Sequence, residues 1–418
     1  MAEYLTVNEA LTAVLAGVDV LSAETVDLLD ALGRVLAEPV TARDSLPPFA
    51  NSSMDGYALQ AADSQMATQE YPVNLQVLGD IAAGSVSDIT LVPGTAARIM
   101  TGAPLPAGAD AVIPVEDTNE SWRDLSRPQP ANVLIRRSVQ KGDYVRWPGE
   151  DVRAGQVVLA AGHLLRPQEI GVMASLGVSR VQVVARPRVG ILATGDELIG
   201  VAEALTPGKI RNSNGYAQHA QVLALGALPI ALGVARDTET DIRAKLQAGL
   251  DAGVHLFISS AGVSVGAYDV VKTVLEQEGA IGFWRVRMRP GKPLAYGRYG
   301  GVPYLGLPGN PVSAMVSFER FARPAILKMA GRGVLARPQV PVIIQETIHS
   351  DGRESYLRAI VQRDGLHYTA LTTGNQGSHM MTSLVKANAL VVVPEGVTLV
   401  TPGDTLYALM LDWPETVF

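Results

Sequence analysis

From residue 188 to residue 311 the chain alternates β-branched apolar runs with helix-length stretches, a spacing that restricts the fold sharply. "RVGILAT" (188–194) opens the series, followed by a helix near 214–226, a strand near 228–235, a helix near 238–252 and a strand at 254–260. A helical run at 269–279, a strand at 281–288 and "VPYLGLP" leading into a helix from Pro311 complete it. Parallel neighbours need a long crossover and a helix supplies it, so the pattern predicts a central three-layer α/β domain with a mostly parallel sheet. Ligands of such sheets sit beyond the carboxyl ends of the strands.

The flanks read differently. Residues 46–147 hold short β-like runs punctuated by Pro and Gly, as in "ARIMTGAPLPAGADAVIPVED", and predict a β-rich inserted domain. Residues 1–45 and 148–178 are mixed or helical and bracket that block, which suggests one discontinuous domain. Residues 179–332 are then the α/β domain, and 333–418 a small C-terminal β-barrel or sandwich built from "VPVIIQETI", "YLRAIVQ", "HYTALTT", "ALVVVPEG" and "DTLYALML". Thr6 and Glu9 form a capping box for an N-terminal amphipathic helix.

A net charge of -7 argues against a nucleic-acid surface, which needs a basic field. The chain has no cysteine, which removes disulfides, thiolate nucleophiles and Cys-based metal sites. The start lacks a basic n-region, and the most apolar stretch, 222–235, falls short of the roughly 20 residues a bilayer span needs and is broken by Gly226 and Pro229. These features predict a cytoplasmic protein without membrane contact.

The strand at 254–260 runs into "FISSAGVSVGAYD" (257–269), which has two chemical readings. Gly262-Val263-Ser264-Val265-Gly266 fits the G-x-S-x-G elbow of a Ser264 hydrolase. That reading needs a downstream histidine beside the sheet, and His349, His367 and His379 all fall in or near the β-rich tail. Alternatively, Ser259, Ser260, Gly262, Ser264 and Gly266 form a backbone and hydroxyl cradle for a phosphate. An ordinary βα turn accounts for the loop equally well when it is taken alone.

Other strand ends favour an anion site. "LATGDEL" places Glu197 at the same sheet edge, Asp237 ends the next strand, and Asp269 follows the serine loop. Carboxylates beside a phosphate loop suit Mg²⁺ with its preference for oxygen, although each alone also suits a helix N-cap. "WRVRMRPGKP" sets Arg285, Arg287 and Arg289 on one strand face by period-2 alternation, with Lys292 in the following turn. Asn310 and Pro311 read as N-cap and N1 of a helix that presents free N–H groups. Neither a Walker motif nor a G-x-G-x-x-G fingerprint is present.

Taken in order, "PPFANSSMDGYA", "RIMTGAPLP", "TGDEL", "SSAGVSVG", "RPGKP", "LPGNPVS" and "TTGNQGSH" resemble the molybdopterin molybdenumtransferase family, the bacterial MoeA type also seen as the E domain of gephyrin. The resemblance spans nearly the whole chain. It implies a MogA-like molybdopterin-binding α/β domain and insertion of molybdenum, delivered as molybdate, into the dithiolene of adenylylated molybdopterin, with release of AMP and a need for a divalent metal. It further implies a homodimer, with an active cleft shared between subunits, and a molybdopterin adenylyltransferase as partner. A non-catalytic molybdopterin-binding scaffold is the alternative within the same family.

The resemblance places catalytic positions on Asp55, Thr101, Asp151, Glu197, Asp237 and Asp269; the last three are expected to hold a metal or to position the phosphoanhydride. Substrate contacts fall on Arg285, Arg289, Lys292, Pro308 and Ser378, together with the 259–266 loop. Arg353 of "DGRESYLRA" matches in a stretch with little else to fix it. The chain departs from the family pattern at Ala261, where a second glycine is usual, at Ala50, where aspartate is frequent, and at Arg285 and Arg289, where some members carry lysine. No residue suits covalent catalysis, so positioning and electrostatics carry the chemistry.

Overall fold

The computed structural model describes residues 4–120, 128–260, 270–278 and 282–413. The chain divides into two compact units, one holding residues 1–38, 162–167 and 180–418, the other holding 39–161 and 168–179. Each is taken by itself.

The larger unit is built on a seven-stranded sheet. Its strands are β1 (Tyr4–Leu5), β2 (Arg188–Thr194), β3 (Leu228–Ala235), β4 (Leu256–Ser260), β5 (Gly282–Val286), β6 (Pro293–Tyr299) and β7 (Val302–Leu307), in the spatial order β1-β5-β6-β7-β4-β2-β3. Only β6 runs against the others. The helices packed on this sheet are α1 (Val7–Ala16), α2 (Ser213–Ala224), α3 (Glu239–Asp251), α4 (Val270–Glu278) and α5 (Pro311–Ser317), the last continuing through a π-turn (Phe318–Ala322) into α6 (Arg323–Met329). The central strands are buried on both sides: six of the seven residues of β2 are buried, as a parallel sheet with helices on each face requires. One face packs Val189, Ile191 and Ile258 against α1 and the α5–α6 helical run, and the other packs Leu192 and Phe257 against Ile242 and Leu246 of α3 and Val274 of α4.

The mostly parallel α/β sheet read from the sequence is present, with two additions. β6 follows the Pro-Gly turn and inserts antiparallel between β5 and β7. β1 joins the far edge, parallel to β5, ahead of α1. The Thr6 capping box holds: Thr6 Oγ1 accepts the Glu9 N–H at 3.1 Å, and Glu9 Oε2 accepts the Thr6 N–H at 2.7 Å.

The C-terminal strands β8 (Gln339–Ile344), β9 (Glu354–Asp364), β10 (His367–Thr372), β11 (Ala389–Val393) and β12 (Thr405–Met410) close into a five-stranded barrel, since β9 pairs with both β10 and β11. Its interior holds Val342, Val361, Val391 and Ala408. Tyr356, Leu390 and Leu409 belong to the same buried cluster as the sheet residues Val189 and Ile258, so barrel and sheet share a core within this unit.

The smaller unit is β-rich, as expected. Its five-stranded sheet runs Ala111–Pro114, Gly56–Leu59, Thr95–Ile99, Val73–Ile81 and Asn132–Ile135 in spatial order. Tyr57, Leu75, Ile113 and Val133 fill its core. Among the described residues no helix is long and apolar enough to cross a membrane.

Candidate functional site

Within the larger unit a cleft of about 740 Å³ opens at the carboxyl edge of β2, β4 and β7. Thr194, Ser260 and Pro308 line it as the last residues of β2 and β4 and the first beyond β7. Glu197, Arg289, Lys292, Arg353 and Ser378 line it too, so residues far apart in sequence meet in one place.

Three local devices build the walls. After β2, Gly195 takes φ +140°, and a Cβ there would lie 2.4 Å from Glu197 Oε2. Only glycine lets the Glu197 carboxylate fold back over this turn. After β5, the chain leaves the sheet at Arg287, and Met288–Arg289 pairs in parallel with Glu354–Ser355 of β9. Gly291, at φ +111°, brings the following turn against the helical run; a Cβ there would meet Ser317 Oγ at 2.5 Å. Third, the loop at 374–378 is held to the barrel by Arg358. Gln376 accepts the Arg358 N–H at 2.9 Å and donates back to its carbonyl at 3.1 Å, while Arg358 Nη2 donates to the Gly377 carbonyl at 3.2 Å.

The break at Arg287 corrects the expected cationic stripe. The three arginines do not share one strand face, because the strand ends at Val286, before the second of them. Arg285 donates to the Tyr4 hydroxyl at 3.0 Å, Arg287 pairs with Glu395 at 3.0 Å, and only Arg289 lines the cleft. Arg285 and Lys292 both lie over the Tyr4 ring, at 5.6 and 5.8 Å from its centroid. The Arg285 hydrogen bond, with the charges of Arg285 and Lys292, lowers the Tyr4 pKa from its ordinary value.

Ser259 points elsewhere: its hydroxyl accepts from Tyr304 at 2.6 Å in the buried core. Asp237 follows β3 and exchanges contacts with Asp196, each accepting the other's backbone N–H, at 3.3 and 3.5 Å. It does not line the cleft. Gly262, Ser264, Gly266 and Asp269, with Ala261, lie outside the described residues. Among the described residues no three His or carboxylate groups converge closely enough to hold a metal ion. Glu197 and Asp237 supply oxygen donors of the type Mg²⁺ takes, at the same sheet edge.

In the smaller unit, Asp55 and Thr101 come together although 46 residues apart: Asp55 Oδ1 accepts from the Thr101 N–H at 2.7 Å and its hydroxyl at 2.8 Å. Asp151 belongs to the same unit, its N–H donating to the Leu46 carbonyl at 3.0 Å.

Several residues escaped the sequence reading. Arg211, Asn212 and Asn214 line the cleft from the start of α2. Asn212 caps the helix through Gly215 N–H at 2.9 Å, and Asn214 donates to the Gly309 carbonyl at 2.7 Å. Asn310 and Pro311 take the N-cap and first-turn positions expected of them, without a hydrogen bond from the Asn310 side chain, and the Val312 N–H, expected to be free, is taken by the Ser378 carbonyl at 3.1 Å. Arg358 is 1 % exposed, and burial, with the charge of Arg289, pushes its pKa down to about 10. It stays protonated at neutral pH and places a cation beneath the loop that carries Gln376 and Ser378.

Comparison with known proteins places this geometry. Residues 5–177 match the family described as "MoeA N-terminal region (domain I and II)", 190–328 the "Probable molybdopterin binding domain", and 341–411 the "MoeA C-terminal region (domain IV)". A molybdopterin molybdenumtransferase of Nostoc sp. is 39% identical over 398 residues, covering 93% of this chain and 88% of that protein. The chain belongs to the MoeA family. Molybdopterin molybdenumtransferase 2 of Mycobacterium tuberculosis is 40% identical over 390 residues, covering 91% and 93% of the two chains. A crystal structure of the molybdopterin biosynthesis MoeA protein of Pyrococcus horikoshii aligns with a TM-score of 0.80 at 28% identity, covering 98% of this chain and all of that one. In this MoeA-family chain the cleft is therefore lined from the part matching the molybdopterin-binding domain and the part matching the C-terminal region together.

Proposed function

We propose that the protein is a molybdopterin molybdenumtransferase that inserts molybdenum from molybdate into the dithiolene of adenylylated molybdopterin and releases AMP. The observation that carries the reading is charge. In a chain of net charge -7, the described residues that line the cleft include Arg211, Arg289, Lys292 and Arg353 against one carboxylate, that of Glu197. An acidic protein that gathers cations at the carboxyl edge of an α/β sheet offers a site for an oxyanion or phosphoanhydride.

In this reading Ser260, Lys292, Arg353 and Ser378 orient the anionic groups, with Pro308 shaping the wall and Arg358 supporting the Ser378 loop from behind. Arg285 acts through Tyr4, whose ring lies beneath both Arg285 and Lys292. Glu197 and Asp237, with Asp269, are the residues proposed to hold Mg²⁺; bound there, the ion would offset charge on phosphate oxygens. Asp55, Thr101 and Asp151 are proposed to complete the cleft of a second copy in a homodimer. The adenylylated substrate implies an adenylyltransferase partner, and the setting proposed is the cytoplasm.

The test is to mix the protein with adenylylated molybdopterin, molybdate and Mg²⁺ and follow AMP. Molybdate-dependent AMP release is expected, abolished in Asp55→Asn and in Glu197→Gln and partly regained when the two variants are mixed. Tight binding of the substrate with no AMP would leave a carrier instead of an enzyme.

A further inference from the structure

The cationic cleft has a carboxylate of its own beside it, supplied by a residue that the proposed reaction does not use. Asp351 sits in the turn before β9. Arg353 Nε lies 3.2 and 3.1 Å from its two oxygens, Arg353 Nη2 lies 2.5 Å from Oδ2, and the Arg353 N–H donates to Oδ1 at 3.2 Å. Arg289 Nη1 approaches the same Oδ2 at 3.4 Å. One aspartate therefore bridges two guanidinium groups that both line the cleft, while Asp351 itself does not line it. Among the described residues neither arginine has another carboxylate within ion-pair distance.

We infer that Asp351 is a resident counter-anion, a positioning residue that neutralises part of the charge of Arg289 and Arg353 and that an entering oxyanion must outcompete. The inference rests on the reading that the cleft takes an anionic ligand. The arrangement suits exchange: Asp351, Arg289 and Arg353 keep 38%, 52% and 35% of their side-chain surface exposed, so solvent screens the pairing and keeps it weak. The hydrogen bonds from Arg353 hold the Asp351 carboxyl below the usual carboxylate range, so it is charged at neutral pH and competes with any anion there. Two opposing effects follow from removing it. The cleft gains one unit of positive charge, and Arg353 loses a partner that fixes its direction. Coulomb attraction at such range outweighs the ordering of a half-exposed side chain, so the net effect is tighter anion binding. The counter-anion limits occupancy of the empty cleft by ambient anions and eases departure of anionic products.

Titration calorimetry with molybdate, and separately with inorganic phosphate, tests this on the full chain. Asp351→Asn is expected to bind both anions about three- to tenfold more tightly than the unaltered protein. Its affinity should fall more steeply with added salt, because the cleft carries more uncompensated charge. Asp351→Ser should behave as the Asn variant does, and Asp351→Glu should return affinity toward the original value. Damage to the fold would weaken binding, so a gain in both neutral variants is a result that structural loss does not produce. Unchanged or weaker anion binding in the Asn and Ser variants, with unaltered melting temperatures, overturns the counter-anion role and leaves the cleft reading intact. No binding of either anion by any of the proteins, the unaltered one included, removes the cleft reading and the inference together.

Discussion

Arg358 has its guanidinium buried, with its nearest partners a serine hydroxyl at 3.0 Å and a loop carbonyl at 3.2 Å. A buried cation held by neutral acceptors gives little stability, because desolvation opposes the hydrogen bonds it makes. We therefore expect Arg358→Met, which roughly keeps the volume, to change unfolding free energy by less than about 2 kcal/mol. The molybdate-dependent rate should still fall at least about tenfold, since the loop carrying Gln376 and Ser378 loses its tether. Denaturant unfolding beside steady-state kinetics separates the two; parallel losses in both would make Arg358 an ordinary core residue. Arg353 stands out in the sequence and Arg358 does not, for a physical reason. In "ESYLRAIVQRD" an arginine on the side opposite Leu357, Ala359 and Val361 reads as the solvent side of a strand, and here that outer side of the barrel is covered by the loop carrying Gly377 and by Ser383. A lone cation within the apolar run 356–361 was the signal available. Glu197, by contrast, was legible, because a carboxylate two residues past a glycine at a strand end has few other places to go.

At the scale of elements, the start of β4 carries a titrating contact. His255 Nδ1 accepts the Arg188 N–H at 3.0 Å, and the His255 N–H donates to the Arg188 carbonyl at 2.7 Å. Burial, and then the Arg188 charge, lowers the His255 pKa below its ordinary value. Below about pH 6.5 the unfolded chain takes up a proton that the folded chain resists, so this contact makes stability fall as the pH drops toward the folded pKa. His255→Gln should flatten that part of the melting-temperature profile, as differential scanning calorimetry between pH 5 and 8 would reveal; an unchanged acid slope would assign the loss to other groups. Elements with continuous apolar runs, such as β2 and β4, were legible because burial on both faces leaves no other composition. β6 was not legible, since "PLAYGRY" follows a Pro-Gly turn and gives no sign of running antiparallel. The arginine stripe misled because period-2 alternation assumes one unbroken strand, and the chain changes sheets at Arg287.

At the scale of the molecule, the alternation between 188 and 311 sufficed for the layered α/β architecture, and regular short strands sufficed for the barrel. What sequence patterning did not convey is that barrel and sheet share buried residues, because apolar periodicity tells which face is inside and not which neighbour covers it. The fourfold division at 1–45 with 148–178, 46–147, 179–332 and 333–418 stands as a proposal about folding units, beside the two compact units of the structure. The shared core has a functional consequence, since it brings Arg353 and the barrel loop at 374–378 into one cleft with Arg289 and Lys292, so that barrel and sheet both contribute cations. Crystals soaked with molybdate and measured at the molybdenum absorption edge decide whether this cleft takes the molybdenum oxyanion. An anomalous peak is expected inside the cleft, within contact of Lys292 and Ser378; a peak elsewhere, or none at saturating molybdate, would show that the cleft does not hold it.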